Sequence, residues 1–74
     1  MGFGVSIFNL GTGKLTNKYS CIQDFKDAEL LAQLEMGKKE WNELVVIMPG
    51  WNRGTHDNPD EYNRALELAI EYKD

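Results

Sequence analysis

One stretch of the chain concentrates the side chains that could do chemistry. In LVVIMPGWNRGTHDNPDEYNRALELAI, residues 44–70, an apolar run stops at Pro49-Gly50, and Trp51, Asn52, Arg53, His56, Asp57, Asp60 and Glu61 follow. Trp and Arg are enriched among binding hot spots, and loops at strand ends are where scaffolds carry recognition. His56, Asp57 and Asp60 bring an imidazole and two carboxylates, the makings of a metal site or an acid–base pair. A His-Asp dipeptide is not a ligand set, however, and Asp60 is explained by a helix start, where a carboxylate meets the positive end of the helix dipole. The stretch therefore reads as a binding loop with no catalytic residue, and Trp51 is either a contact residue or the lid on a small core.

The remaining candidates exclude more than they admit. One cysteine and one histidine cannot fill a tetrahedral zinc site, so neither a metal nor a cofactor is expected. Gly11-Thr12-Gly13-Lys14 has the letters of a phosphate loop without its G-x-x-x-x-G-K-[ST] spacing between strand and helix, and reads as a hairpin turn. No serine or cysteine has a partnered base. Cys21 alternates as a strand residue and reads as a small buried thiol. Glu35, Glu40 and Glu43 flank a turn and read as solvated charge that could meet a basic partner. Trp41, between helix and strand, reads as a cap on one end of the core.

Five elements must position these residues. Residues 3–10, FGVSIFNL, alternate, with Phe3, Val5 and Ile7 on one side and Gly4, Ser6, Phe8 and Leu10 on the other. A Gly-containing turn leads into residues 14–22, KLTNKYSCI, with Leu15, Tyr19 and Cys21 expected on one side, so the two runs form a hairpin. Asp24 reads as an N-cap with Asp27 at N3. A helix over 25–36 follows, with an apolar face of Ala28, Leu31, Ala32 and Leu34, flanked by Leu30 and Phe25. Gly37 is expected to end it in the left-handed conformation, with Lys38 and Lys39 at the negative end of the dipole. Residues 44–48, LVVIM, are apolar without alternation, the pattern of a strand covered on both faces. The last helix has the fullest signals: Asn58 as N-cap, Pro59 at N1 and Glu61 at N3, approximating a capping box. Tyr62, Ala65, Leu66, Ala69 and Ile70 form its expected core stripe, with Leu68 and Tyr72 as a partly exposed shoulder. Asp60 and Arg64 form an expected i,i+4 ion pair.

The order β-β-α-β-α predicts an α+β fold in one domain spanning 1–74: a three-stranded sheet, made of the N-terminal hairpin plus one apolar edge strand, with two helices packed on one face. The edge strand, Leu44, Val45, Val46, Ile47 and Met48, is a liability unless covered. Loop 50–57, a second copy pairing across a two-fold axis, or a strand added by a partner would cover it.

Size and charge narrow the function. A chain of 74 residues buries only about 60% of its unfolded surface. No apolar run approaches the ~20 residues of a membrane span, and no basic region precedes an apolar core at the N-terminus, so no membrane association is expected. Gly2 and Ser6 fit the myristoylation pattern formally, but the same residues alternate as a strand. A lone cysteine fits a reducing, cytoplasmic setting. Residues 1–23 carry Lys14 and Lys18 and no acid, while residues 24–74 carry all 12 acids against 6 bases. Nucleic-acid binders show a basic footprint; this chain, at −4 overall, shows the opposite, so no direct nucleic-acid binding is expected. Its expected partner is a protein with a basic surface, or a second copy of itself.

VVIMPGWNRG (residues 45–54) and EYNRALELA (residues 61–69) together resemble the strand, Pro-Gly-Trp loop and Glu-bearing helix of nucleoside deoxyribosyltransferase-like proteins. That resemblance implies Glu61 near a catalytic glutamate and Trp51 near a bound base. The chain departs from the family in a longer spacing from Gly54 to Glu61 and in lacking the N-terminal nucleotide-binding strand and loop. Three functions are therefore expected from sequence. The first is a small acidic, non-enzymatic binding protein acting by protein–protein contact, resembling in style the regulators and inhibitors that phages and mobile elements encode. The second is a nucleotide or other small-molecule site around the Pro-Gly-Trp loop, completed by a homodimer because one short chain has little room for a cleft of ~300 Å³. The third is a structural subunit of a homo-oligomer.

Overall fold

The structure is a computed structural model that describes residues 3–38, 43–48, 50, 51, 54, 56 and 58–72. The expectations for Gly2, Lys39, Glu40, Trp41, Pro49, Asn52, Arg53 and Asp57 fall outside the described residues. The elements are β1 (Phe3–Asn9), β2 (Lys14–Ile22), α1 (Phe25–Lys38), β3 (Leu44–Ile47) and α2 (Pro59–Glu71). The sheet order is β2-β1-β3, antiparallel throughout. This is the α+β fold that the sequence predicts, with the apolar strand at an edge.

Local chemistry explains the joints. Asn9 Oδ1 accepts hydrogen bonds from the Gly11 and Thr12 amides at 2.9 and 3.1 Å. Gly13, at φ +72°, donates its amide to the Asn9 carbonyl at 2.8 Å. An Asx turn closed by a left-handed glycine is a hairpin device, so GTGK is a turn. Asp24 caps α1, its Oδ1 accepting from the Lys26 amide at 2.8 Å. Contrary to expectation, α1 does not stop before Gly37 but runs through it to Lys38. Glycine costs about 1 kcal/mol in a helix; here Lys38 reaches back to Glu35 at 3.4 Å and steadies the last turn.

Packing is layered. Helix α1 lies across all three strands, and α2 packs principally against α1. Covered on two sides, α1 buries Ala28, Leu30, Leu31, Ala32, Leu34 and Glu35, a broader buried face than a helix covered on one side presents. The hairpin contributes Val5, Ile7, Tyr19 and Ile22 to the core, and Leu44, Val46 and Met48 complete its sheet side.

Three expectations about faces are corrected. First, α2 docks through Ala65 and Leu68, which are buried, with Ala69 and Tyr72 partly buried beside them, while Tyr62, Leu66 and Ile70 are exposed. The sequence offers two overlapping stripes, and a helix docking on another helix uses only a narrow one; Ala65 permits the closer approach. Second, β3 is not covered on both faces: Leu44 and Val46 are buried, Val45 is half-buried and Ile47 is exposed. Among the described residues, no helix lies on the far side of the sheet. Third, Cys21 is exposed and does not share a buried side with Tyr19. A bulge is the cause. Phe3 pairs with Ile22 but Val5 pairs with Lys18, so three β2 residues oppose Gly4 alone. Tyr19 takes a left-handed φ of 56° there, and Lys18 and Tyr19 both reach Glu35 on α1. A bulge resets the side-chain alternation, which a period-two reading cannot see.

Candidate functional site

The loop after β3 opens with a tight turn. The Trp51 amide donates to the Met48 carbonyl at 3.2 Å, and Gly50 has φ +75°. A positive φ is one that glycine adopts without steric cost, which suits Gly50 to a tight turn. The turn directs Trp51 onto the core, where the indole is half-buried and its Nε1 is buried with no hydrogen-bond partner among the described residues.

His56 fastens the loop to α1. Its side chain is only 4% exposed, and Nε2 lies 3.0 Å from the Leu30 carbonyl oxygen. A carbonyl can only accept, so Nε2 carries the proton. Nδ1 is buried without a hydrogen-bond partner among the described residues, 3.9 Å from Glu61 Oε2. In the neutral imidazole a lone pair therefore faces a carboxylate. The ring also stands edge-on to Tyr62, with centroids 6.1 Å apart.

At the start of α2, Asn58 is the cap, its Oδ1 accepting from the Asp60 amide at 2.8 Å. Glu61 turns toward His56, while Asp60 is exposed. Arg64 pairs with Glu67 at 3.2 Å, not with Asp60 as expected. Of the seven sequence-predicted binding residues, the structure brings His56 and Glu61 together, packs Trp51 on the core and leaves Asp60 facing solvent; Asn52, Arg53 and Asp57 lie outside the described residues. Among the edge residues, Leu44, Val46 and Met48 are core, and Val45 and Ile47 share the sheet face that no helix covers.

Two features were missed from sequence. Glu35, expected to be solvated, is 4% exposed. The Tyr19 hydroxyl donates to its Oε1 at 2.7 Å, Lys38 Nζ donates to the same oxygen at 3.4 Å, and Lys18 Nζ lies 3.6 Å from Oε2. A buried carboxylate persists only when paired and hydrogen-bonded, and here it ties the β2 bulge to α1. The signal was in the spacing: positions 28, 31, 32 and 35 follow i, i+3, i+4, i+7, which puts Glu35 on the apolar stripe. The second missed feature is the outer face of α2. Tyr62, Leu66 and Ile70, spaced i, i+4, i+8, are exposed, Ile70 at 80%. The helix that carries them has four acids and one base.

Among the described residues, no group of three or more His, Cys, Asp or Glu could hold a metal ion, and no helix is long and apolar enough to cross a membrane. Comparisons with protein-family models, curated proteins and solved structures find no match for this chain.

Proposed function

We propose that the protein is a non-enzymatic binding protein, a regulator or inhibitor that acts by laying the outer face of α2 on a larger partner with a basic surface. The observation that carries this reading is the exposed row Tyr62, Leu66 and Ile70 on a helix with net charge −3. An apolar row flanked by charge of one sign is how an amphipathic helix fills a groove. The acids, Asp60, Glu67 and Glu71 among them, supply the complementarity that favours a basic partner and speeds encounter.

The test uses helical peptides carrying leucines at i, i+4 spacing, flanked by lysine and arginine in one set and by glutamate in the other. The basic set should bind with shifted amide resonances along 60–71 and should weaken as salt rises. Ile70→Ala should cost about 2 kcal/mol, the size of a hot-spot truncation, which is roughly 30-fold in affinity. Equal binding of acidic and basic peptides, or full binding by a folded Ile70→Ala protein, would sink the proposal.

A second reading, a small-molecule or nucleotide site at the Pro-Gly-Trp loop, is favoured by one observation: Trp51 Nε1 and His56 Nδ1 are two buried polar atoms on the same loop with no hydrogen-bond partner among the described residues. In a Trp41→Phe background Trp51 is the sole indole. Its fluorescence should then respond to nucleotides, and silence across the common ones removes this reading.

A further inference from the structure

The three strands contain two charged residues, Lys14 and Lys18, both on β2. Lys18 reaches Glu35 on α1, and Lys14 shares its side by strand alternation. The opposite face of the sheet is therefore free of charge along its paired ladder, and Glu43 stands at its rim, one step beyond Val45, where its carbonyl accepts from the Leu10 amide at 3.1 Å. Phe8 lies across from Leu15 on one neighbour and Val45 on the other, and Ser6 lies across from Asn17 and Ile47. Leu15 is 58% and Ile47 51% exposed. A solvated face of an antiparallel sheet ordinarily alternates to polar residues; this one presents an apolar band. Its polar pair is already joined, the Ser6 hydroxyl donating to Asn17 Oδ1 at 2.8 Å, which lowers the cost of drying the face.

We infer that this open sheet face is a self-association surface whose occupant is the same face of a second copy, giving a two-fold, sheet-on-sheet dimer. Charge selects the occupant. Copies of a chain at −4 repel wherever their acidic surfaces meet, and α2, with four acids and one base, is a poor partner for itself. Two uncharged faces meet without that cost, and a two-fold interface needs only one self-complementary patch. Stacked sheets separate by about 10 Å with strands about 30° apart, which lets Phe8, Leu15, Val45 and Ile47 interdigitate.

Edge pairing is the weaker route to a dimer. β3 offers four residues, while β2 carries two lysines and a bulge; short edges, edge lysines and bulges all discourage strand addition. Size fixes the strength. Seven residues of β1 span about 24 Å and three strands about 14 Å, so a face-to-face pair buries on the order of 700 Å² in projection, below the ~1,200–2,000 Å² of tight complexes. The dimer is accordingly weak and governed by concentration.

Sedimentation equilibrium from about 10 μM to about 1 mM, the range of such weak contacts, tests this. The mean mass should climb from 8.5 kDa toward twice that value and hold or rise with added salt. Leu15→Lys and Ile47→Lys should each weaken association about tenfold or more, since each buries an unpaired ammonium, with unchanged circular dichroism. Ile70→Lys, on the proposed partner face of α2, should leave association intact. A monomeric mass across the whole range overturns the inference. So does a dimer that survives Leu15→Lys and is lost in Ile70→Lys. Should a lysine variant fail to fold, Leu15→Thr and Ile47→Thr keep the strand and carry the same readout.

Discussion

Two corners of the molecule set similar chemistry against the same helix and finish differently. At one, Tyr19, Lys18 and Lys38 surround the Glu35 carboxylate. At the other, His56 meets Glu61 at 3.9 Å with Nδ1 unpartnered, and Trp51 Nε1 nearby in the chain is also unpartnered. At the first corner the buried carboxylate is matched, accepting hydrogen bonds from Tyr19 and Lys38 and pairing with Lys18. The second leaves His56 Nδ1 and the Trp51 indole N–H without a hydrogen-bond partner among the described residues. A buried polar group gains little net free energy when satisfied and loses about 1–3 kcal/mol when it is not. The Glu35 corner therefore fixes the fold, and the His56 corner is where a proton, a ligand or a moved side chain has something to gain.

The largest expected effect breaks the matched corner. Glu35→Ala should cost about 3 kcal/mol in denaturant unfolding, because it removes the charged acceptor of the Tyr19 hydroxyl and leaves a void on the core stripe. Tyr19→Phe should cost about 1.5 kcal/mol, the worth of a hydrogen bond to a charged acceptor. The double variant Tyr19→Phe with Glu35→Leu should recover much of the loss, since apolar replacement of a paired polar group is often near neutral; strict additivity would show that the two side chains are not coupled.

The comparison sharpens most when one substitution type is made at both corners. Glu35→Gln should destabilise by about 1–2 kcal/mol, because the lysines lose their counter-charge and the phenol its charged acceptor. Glu61→Gln should be neutral or stabilising by up to about 1 kcal/mol at neutral pH, because an amide N–H can donate to His56 Nδ1 where a carboxylate cannot. The same sign at both positions in thermal melts would erase the proposed difference.

The smallest effect lies at alkaline pH. The Tyr72 hydroxyl donates to Asp27 Oδ2 at 3.2 Å, and this bond to a carboxylate, helped by burial and nearby acids, raises the Tyr72 pKa above the ordinary tyrosine value of 10.0. A raised folded-state pKa contributes stability that is fully present below the unfolded value and is lost as pH climbs through the folded one. Wild type should therefore lose this contribution above pH 10, and Tyr72→Phe should show a flatter alkaline melting profile than wild type.

What the sequence made legible was local. Asn9 with Gly13, Asp24, and Asn58 with Pro59 each fix a joint through contacts a few residues away, so the order of elements and the edge position of β3 follow from them. What it hid depends on partners distant in the chain. The bulge at Tyr19 depends on the pairing of β2 with β1, where three β2 residues oppose Gly4 alone. The docking stripe of α2 depends on α1 choosing Ala65 and Leu68 over Leu66 and Ile70. Glu35 was overlooked because its charge outweighed its position. At the candidate site, residue type pointed to Trp51, yet the Pro-Gly turn that made it conspicuous is also what directs it onto the core.

The central place of α1 also sets an order in time. It is the element against which both the sheet and α2 are packed, so α2 can lift away and return while the hairpin, β3 and α1 stay assembled; local openings of this kind need far less free energy than global unfolding. The amides of α1 should then be the last to exchange with solvent hydrogen, and those of α2 should exchange through its excursions from the rest.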